Sequence, residues 1–243
     1  DAPIAFVGKG ITFDAGGISL KPGAGMGNMK GDMSGAASVM GAVVSLAKSR
    51  APVHVVGVAA LAENMPDGNA QRPGDVTRTM SGKTIEMVNS DAEGRLVLAD
   101  ANEYVAKAYK PRAIVNIATL TGAVVGALDD SYAGLFARDE ALSARLLAAG
   151  AVSGEELWRL PLHKAYAERM KSDIADIRNS ATGQGPGASL GAHFIGFFVD
   201  ENTPWAHLDI AGVNRSEKAS PLVPKGMTGF GVRLLDQLAR SGD

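Results

Sequence analysis

Short strand-like runs alternate with helix-like stretches along this whole sequence, and the alternation restricts the fold more than any other feature. The strand-like runs are rich in β-branched and apolar residues, whereas the helix-like stretches are longer and mostly rich in Ala and Leu. The predicted strands cover 4–8, 53–61, 84–88, 113–118, 132–137 and 205–210. The predicted helices cover 34–48, 95–109, 140–149, 163–170, 190–199 and 232–240, with a loop at 183–187.

The order of these elements predicts a single α/β domain over residues 1–243. Neither an internal repeat nor a low-complexity linker divides the sequence. Alternating strands and helices of this kind form a mainly parallel or mixed central sheet with helices on both faces. Ligand sites in such sheets lie beyond the carboxyl ends of strands, so the loops that follow strands are where chemistry is expected.

Composition excludes several classes of function. The chain has no cysteine, which rules out disulfides, cysteine zinc fingers, iron–sulfur clusters and cysteine nucleophiles. It has 24 Lys and Arg against 26 Asp and Glu and no basic stripe, so nucleic acid is not expected as a partner. The apolar run 53–62 is far shorter than the ~18 residues of a membrane span, so we expect no membrane anchor. Because the sequence opens with Asp1 and has no signal-like segment, we interpret it as a piece of a longer protein.

Three common catalytic patterns are incomplete. The stretch 31–35 is close to the G-x-S-x-G elbow of serine hydrolases, but its serine comes one place too late. The stretch 81–84 imitates the end of a phosphate-binding loop without the glycine that should open it. There is no H-E-x-x-H motif, and the isolated His54 and His207, which lie in apolar strand-like runs, are predicted to be hydrogen-bonded core residues. These absences disfavour a serine hydrolase, a nucleotide-binding loop and a zincin.

Acidic and basic residues are grouped in three segments at predicted strand ends or helix starts, 8–14, 30–35 and 89–96. The acids are Asp14, Asp32, Asp91 and Glu93, and the basic residues in or near these segments include Lys9, Lys21 and Arg95. Four converging carboxylates would repel one another and raise each other's pKa values. Two divalent ions would remove that conflict, so the grouping predicts a metal or phosphate site.

Each acid also has a purely structural interpretation. Ser90 and Glu93 have the spacing of a capping box for the helix that begins near Arg95. Asp32 could be the N-cap of the following helix, and Asp14 could be a turn residue. These interpretations explain the acids one at a time, but they do not explain why the acids occur together.

The same segments resemble the signature motifs of the leucyl aminopeptidase family, the cytosol aminopeptidases with two metal ions. The resemblance is carried by 8–17, 30–37 and 89–96, and it continues through 63–65, 72–75, 118–123 and 207–212. It covers nearly the whole chain, and the octet around Glu93 is very specific. Proteins of that family carry a further N-terminal domain, so this sequence resembles an isolated catalytic domain.

The resemblance implies a set of metal ligands. The tighter site would consist of Lys9, Asp14, Asp32 and Glu93, and the more exchangeable site of Asp14, Asp91 and Glu93, with Asp14 and Glu93 bridging. Lys9 must be neutral to bind a metal, although a free lysine keeps its proton up to pH ~10.4. The charge of a divalent ion can drive that deprotonation. Zinc and manganese are the expected ions.

The resemblance also implies the reaction. The protein would be a metal-dependent exopeptidase that releases N-terminal amino acids from peptides through a hydroxide held by both metals. Lys21 and Arg95 match the two catalytic positions that are not ligands: Lys21 would stabilise the oxyanion, and Arg95 would hold a bicarbonate ion as general base. Ser90 stands where Thr is common, and it keeps the hydroxyl.

A side-chain pocket, a location and an assembly follow from the same resemblance. The pocket for the first residue of the substrate would be lined by Met29, Thr119, Leu120, Gly122, Ala211 and Asn214. Apolar side chains such as Leu or Met should be preferred, but Asn214 stands where we expect Met, which predicts a broader preference. The protein would be cytoplasmic and hexameric.

Two other functions fit some of these residues. Carboxylates, Lys and Arg around two metal ions would also suit a dimetal phosphoesterase. A third possibility is a scaffold without catalytic activity that builds oligomers or associates with nucleic acid. Aminoacyl and phosphoryl chromogenic substrates separate the first two, and metal content without turnover would favour the third.

Overall fold

A mixed six-stranded sheet forms the centre of the protein in the computed structural model, which describes residues 2–181, 183 and 185–242. The strands are β1 (Ile4–Asp14), β2 (Val55–Asn64), β3 (Val76–Arg78), β4 (Thr84–Glu86), β5 (Ala113–Ala118), β6 (Ala133–Ala137), β7 (Leu157–Arg159), β8 (Ile177–Arg178), β9 (Trp205–Asp209), β10 (Arg215–Ser216) and β11 (Gly226–Met227). The α-helices are α1 (Ser34–Lys48), α2 (Gly94–Tyr109), α3 (Gly122–Leu128), α4 (Glu140–Ser153), α5 (Ala165–Glu168), α6 (Gly187–Phe197) and α7 (Val232–Arg240), and a 3₁₀ helix covers Met26–Gly31.

The strand order in the central sheet is β2-β1-β5-β9-β6-β7. Neighbours are parallel except β6 and β9, which pair antiparallel. The carboxyl ends of β2, β1, β5 and β9 therefore lie at one edge of the sheet, as expected for an α/β fold. The predicted fold class is confirmed, and the sheet is mixed.

Both faces of the sheet are covered by helices. Along β5, Val115 and Ile117 belong to one apolar core with α1, α4 and α7, whereas Ile114 and Ala118 belong to a second core with α2, α3 and α6. Successive residues of a strand point to opposite faces, so a strand that is apolar throughout supplies both cores. Two helical layers thus fix the ends of the central strands, where the loops of interest begin.

The first turn of α1 packs directly against the sheet. A Cβ atom at Gly35 would lie 2.1 Å from the backbone oxygen of Ile117 at the end of β5, which no larger residue could accept. This close approach holds the segment just before α1 at the carboxyl ends of β1 and β5. Asp32, two residues before α1, is therefore buried beside them.

Several predicted bounds differ from the structure. The first strand does not end at residue 8 but continues to Asp14, because 9–11 keep pairing with β2. The predicted helix 163–170 is only the four-residue α5, and α6 begins at Gly187 within the predicted loop 183–187. Residues 182 and 184 lie outside the described part of the chain, and the short β3, β7, β8 and α3 were not predicted.

The two histidine predictions need correction. His54 precedes the edge strand β2 and is exposed, so it is not a core residue. His207 in β9 is completely buried and stacks on Phe136 with 6.1 Å between ring centroids. Within the described residues, however, neither of its ring nitrogens has a hydrogen-bond partner. Burial and, to a lesser extent, the charge of Arg95 lower the pKa of His207 to about 3, so the ring is neutral.

In the described part of the chain, no helix combines the length and the apolar character that crossing a membrane requires.

Candidate functional site

A cavity of about 670 Å³ opens where β1, β5 and β9 end. This volume is typical of small-molecule and peptide sites. Every candidate site residue except Glu93 lines it, namely Lys9, Asp14, Lys21, Met29, Asp32, Asp91, Arg95, Thr119, Leu120, Gly122, Ala211 and Asn214. Glu93 lines a neighbouring cavity, but its carboxylate pairs with Lys9, so it belongs to the same polar group.

The first charged group is the Lys9 cluster, which consists of Lys9, Asp32 and Glu93. The Lys9 Nζ atom lies 2.7 Å from Asp32 Oδ2 and 2.7 Å from Glu93 Oε1, and it donates a hydrogen bond of 3.1 Å to the Thr119 backbone oxygen. Only 4% of the Lys9 side chain is exposed. Lys9 can reach Glu93 because residue 94 is glycine: a Cβ there would lie 2.5 Å from Lys9 Cε.

The second charged group is the Lys21 cluster, which consists of Lys21, Asp14 and Asp91. The Lys21 Nζ atom lies 2.8 Å from Asp14 Oδ2 and also pairs with Asp91 Oδ1. Asn64 at the end of β2 donates to Asp14 Oδ1 (2.8 Å) and to the Ser90 backbone oxygen (2.9 Å). This amide therefore ties the end of β1 to the loop that carries Asp91.

The two clusters meet in a group of oxygens that could hold metal ions. Carboxylate oxygens of Asp14, Asp91 and Glu93 all lie within 4.8 Å of one another. The two lysine ammonium groups pair with these carboxylates and offset part of their negative charge. Burial lowers the pKa of Lys9, but the charges of Glu93 and Asp32 outweigh burial and raise it above its ordinary value. A metal ion bound to Lys9 would therefore have to displace a firmly held proton.

The capping interpretation of these acids is wrong. The Ser90 hydroxyl donates to the Gly16 backbone oxygen (2.7 Å) and accepts from the Ser19 backbone nitrogen (2.7 Å), so it does not cap α2. Glu93 is the N-cap residue of α2, yet its side chain makes no capping hydrogen bond. Asp32 does not cap α1 and instead accepts a 2.7 Å hydrogen bond from Thr119 Oγ1.

Asp14 does take part in a turn, as its structural interpretation predicted. Its Oδ1 atom accepts a hydrogen bond of 2.9 Å from the Gly16 backbone nitrogen, while its other oxygen pairs with Lys21. The turn and the charged cluster use different oxygens of one carboxylate, so the two interpretations are compatible.

Arg95 lies in the first turn of α2, and not all of its N–H donors are used by the protein. Its Nη1 atom donates a 2.6 Å hydrogen bond to the Asn179 backbone oxygen, whereas its buried Nε atom has no hydrogen-bond partner among the described residues. Burial lowers the pKa of Arg95 to about 10, opposed by the charges of Asp209 and Glu93, so it stays charged at neutral pH. A cationic donor at a helix N-terminus beside a cavity is chemically suited to a small anion.

Asn179 was not predicted, although it organises the site. Its Oδ1 atom accepts from the backbone nitrogens of Val88 (2.9 Å) and Asn89 (3.3 Å), and its Nδ2 atom donates to the backbone oxygens of Asn89 (2.7 Å) and Ala92 (3.3 Å). One buried amide thus fixes the loop that carries Asp91. A single asparagine about 90 residues away in an irregular region gives no sequence signal for this role.

The side-chain amide of Asn214, which lines the cavity, makes only long contacts with the described residues. Its Nδ2 atom lies 3.5 Å from Ser34 Oγ and 4.0 Å from Met227 Sδ. Met227 packs over Gly31, where a Cβ would lie 2.3 Å from the methionine methyl carbon. The half-buried amide therefore lines the cavity without strong hydrogen bonds to the protein.

Comparison with known proteins agrees with this site. Residues 1–236 match the description "Cytosol aminopeptidase family, catalytic domain". The chain belongs to the cytosol aminopeptidase family. It is 54% identical over 241 residues to a probable cytosol aminopeptidase of Rhizobium etli, covering 99% of this chain and 48% of that protein. It is 55% identical over 240 residues to a probable cytosol aminopeptidase of Brucella melitensis, and the match covers 99% of this chain and 49% of that protein. The chain thus spans about half the length of the curated relatives it matches.

A solved structure is also similar to this cytosol aminopeptidase-family chain. The bottromycin maturation enzyme BotP in complex with Mn is 41% identical and superimposes with a TM-score of 0.93. The match covers 99% of this chain and 53% of BotP. Family membership therefore rests on both sequence and fold.

Proposed function

We propose that the intact protein is a metal-dependent aminopeptidase that removes N-terminal residues from peptides. The observation that carries this proposal is that the Lys9 cluster and the Lys21 cluster lie on one cavity beside Arg95. The names of the curated relatives support a peptide substrate with a free N-terminus. The Mn complex of BotP supports a divalent metal.

Two divalent ions, zinc or manganese, fit the donors of this chain. Lys9, Asp14, Asp32 and Glu93 would hold one ion, and Asp14, Asp91 and Glu93 would hold the other, with Asp14 and Glu93 shared. The fit is supported by the carboxylate oxygens within 4.8 Å of one another and by the two ammonium groups that pair with Glu93 and Asp91, which leave part of the negative charge unbalanced. When bound, the ions would lower the pKa of a water molecule towards neutrality and polarise the substrate carbonyl.

The chain's own charged residues would then act on the substrate. Asp32, buried at the cavity wall, would accept hydrogen bonds from the substrate's free amine. Lys21, whose side chain is 22% exposed towards the cavity, would stabilise the negative charge that develops on the carbonyl oxygen. Arg95 would hold a bicarbonate ion as the general base, using the Nε donor that lacks a protein partner.

The apolar part of the cavity would receive the first side chain of the substrate. Met29, Thr119, Leu120, Gly122 and Ala211 can offer methyl and methylene groups or open space, which favours medium apolar side chains such as Leu and Met. Asn214 adds a polar group whose hydrogen bonds to the protein are long, so it reduces the gain from burying a large apolar side chain. We therefore infer a broad preference.

The test is hydrolysis of leucine p-nitroanilide by protein loaded with Mn or Zn. We expect turnover that disappears in chelator, returns on adding metal, and is absent with N-acetyl-leucine p-nitroanilide, because the free amine is required. Full activity at zero metal content would refute the metal-dependent mechanism. Hydrolysis of p-nitrophenyl phosphate alone would instead indicate a phosphoesterase.

Assembly and location complete the proposal. We infer a homohexamer built through this domain and a cytoplasmic location, both from the likeness to the family. Light scattering at micromolar concentration tests the assembly, and a monomer would contradict it.

A further inference from the structure

Asp209, at the end of β9, is a buried carboxylate that the proposed reaction does not use. It has no exposed surface, and its Oδ1 atom accepts hydrogen bonds from the backbone nitrogens of Leu120 (3.1 Å) and Ala211 (3.3 Å). Its Oδ2 atom accepts a 2.7 Å hydrogen bond from Thr121 Oγ1. Leu120, Thr121 and Ala211 all line the cavity, so one carboxylate joins two separate segments of its wall.

The same wall segment is held from its other side by the Lys9 cluster. Thr119 donates its hydroxyl to Asp32 Oδ1 (2.7 Å), and its backbone oxygen accepts from Lys9 Nζ (3.1 Å). Residues 119–121 thus lie between candidate metal ligands on one side and Asp209 on the other. A shift of this segment would move the pocket wall relative to the charged clusters.

Thr121 links Asp209 to the start of α3 as well. Its Oγ1 atom donates to Asp209 and accepts a 3.2 Å hydrogen bond from the Val124 backbone nitrogen, which caps the helix. Gly122, which lines the cavity, is the first residue of α3. The carboxylate therefore fixes the position of the helix start in addition to the loop.

The charge of Asp209 is costly, because the three donors that it meets are neutral groups in the interior. Burial raises the pKa of Asp209 to about 6, and its hydrogen bonds oppose this shift. An asparagine has a similar shape, but its neutral oxygen accepts the two backbone hydrogen bonds less strongly, and its NH2 group cannot accept a hydrogen bond from the Thr121 hydroxyl.

We propose that Asp209 is a positioning residue that fixes the 119–121 segment and the start of α3 against Ala211. Its role rests on the proposed aminopeptidase function, since the fixed segments set where the substrate's first side chain lies relative to the charged clusters. The residue does not touch the substrate.

Two variants test the role from opposite ends of one hydrogen bond. Asp209→Asn keeps the shape and removes the charge, while Thr121→Val keeps the carboxylate and removes the hydroxyl. Thr121→Ser keeps a hydroxyl at this position and is the conservative control. Glu155→Gln is the matched control for a buried carboxylate: Glu155 accepts backbone hydrogen bonds from Gly231 and Leu234 at the start of α7, away from the cavity.

The readouts are Mn content, kcat/KM for leucyl and alanyl p-nitroanilides, and hydrogen exchange of the Leu120 and Ala211 amides. We expect Asp209→Asn and Thr121→Val to keep their metal. Their kcat/KM should fall about 10- to 100-fold, because a misplacement of about 1 Å can cause a loss of that size. Both variants should also show a lower leucyl-to-alanyl ratio and faster hydrogen exchange at both amides. Thr121→Ser should stay close to wild type, and Glu155→Gln should change thermal stability but not the ratio.

The outcomes separate this role from the proposed function. If wild-type protein has no peptidase activity, the proposed function fails, and the exchange rates alone decide whether Asp209 fixes the two segments. Unchanged exchange and an unchanged leucyl-to-alanyl ratio in both variants would overturn the positioning role. A loss of activity that only follows loss of metal would overturn it too. If Asp209→Asn does not fold, Thr121→Val decides.

Discussion

The Lys9 cluster and the Lys21 cluster combine the same chemical groups but differ in burial. In the Lys9 cluster the side chains of Lys9, Asp32 and Glu93 are 4%, 7% and 12% exposed. In the Lys21 cluster Asp14 is equally buried, but Lys21 is 22% and Asp91 31% exposed. An ammonium group close to solvent can leave its carboxylates at low cost, whereas a buried one cannot.

This difference indicates how the two positions would handle a cation. In the Lys21 cluster, a cation can replace the ammonium group when Lys21 turns towards the cavity. In the Lys9 cluster, Lys9 is almost completely buried, so under the proposed function it would stay beside the ion as a neutral ligand. The buried position should therefore hold its metal more tightly and exchange it more slowly.

The largest effect is expected for Glu93, which both proposed metal sites would share. Glu93→Ala should lose both metal ions and all turnover, because its carboxylate pairs with Lys9 and also lies with those of Asp14 and Asp91. As a mere helix cap, Glu93 would contribute only about 1 kcal/mol of stability. Metal analysis after gel filtration and leucine p-nitroanilide hydrolysis measure the two losses.

Glu140→Ala is the control for this prediction. Glu140 is an exposed acid in the first turn of α4 and pairs with Arg159. This variant should keep metal and rate. Two ions per chain in Glu93→Ala would show that Glu93 is not shared.

The stability of metal-free protein tests the difference in burial directly. Lys9→Met leaves Asp32 and Glu93 buried without their counter-charge, which should lower the free energy of unfolding by about 3–5 kcal/mol. Lys21→Met should cost less, about 1 kcal/mol, because Asp91 is partly exposed and the buried Asp14 keeps its hydrogen bonds from the Gly16 backbone nitrogen and from Asn64. Urea denaturation in the presence of chelator measures both. Equal losses would mean that burial does not distinguish the clusters.

Substitution of Arg95 tests whether a residue beside the clusters changes the turnover rate without changing the metal content. Arg95→Ala should keep its metal content, lose roughly 100-fold in kcat with a small change in KM, and recover partly in added bicarbonate. Arg138→Ala is the control, because Arg138 is an exposed arginine that also donates to backbone oxygens, those of Val199 and Asp200, and does not line the cavity. A rate that neither the substitution nor bicarbonate changes would remove Arg95 from the mechanism.

Sequence patterns were sufficient for elements with many periodic residues. The bounds of α1, β5 and α7 agree with the predicted 34–48, 113–118 and 232–240. Two- and three-residue strands such as β8 have no periodicity to detect. The strand β1 was cut short at residue 8 because two glycines flanking Lys9 suggested a loop, although backbone pairing with β2 continues through them.

The site was predictable where it depends on the ends of parallel strands and not where it depends on distant contacts. The rule that strand ends meet at one edge predicted the grouping of Asp14, Asp32 and Asp91 around one cavity. The capping box failed because Ser90 bonds to residues 16 and 19, which are distant in sequence. Asn179 and Asp209 act on loops about 90 residues away, so no local pattern could have assigned them.

The smallest effect is expected at Asn214, which lies at the cavity but belongs to neither cluster. Asn214→Met should raise the leucyl-to-alanyl ratio of kcat/KM by a few-fold to roughly 100-fold, the range over which an apolar pocket discriminates. The physical reason is that the Asn214 amide makes only contacts of 3.5 and 4.0 Å, so little hydrogen bonding is lost. The added apolar surface gains ~0.8 kcal/mol per buried methylene of the substrate.

Asn214→Ala is the control, because it removes the amide without adding apolar surface. If hydration of the Asn214 amide sets the substrate preference, Asn214→Ala should raise the leucyl-to-alanyl ratio as much as Asn214→Met does. If apolar contact with the substrate sets it, Asn214→Met should raise the ratio more. Metal content and thermal stability should stay unchanged in both variants, since Asn214 touches neither lysine cluster. A ratio that stays at the wild-type value in both would show that Asn214 does not contact the substrate's first side chain.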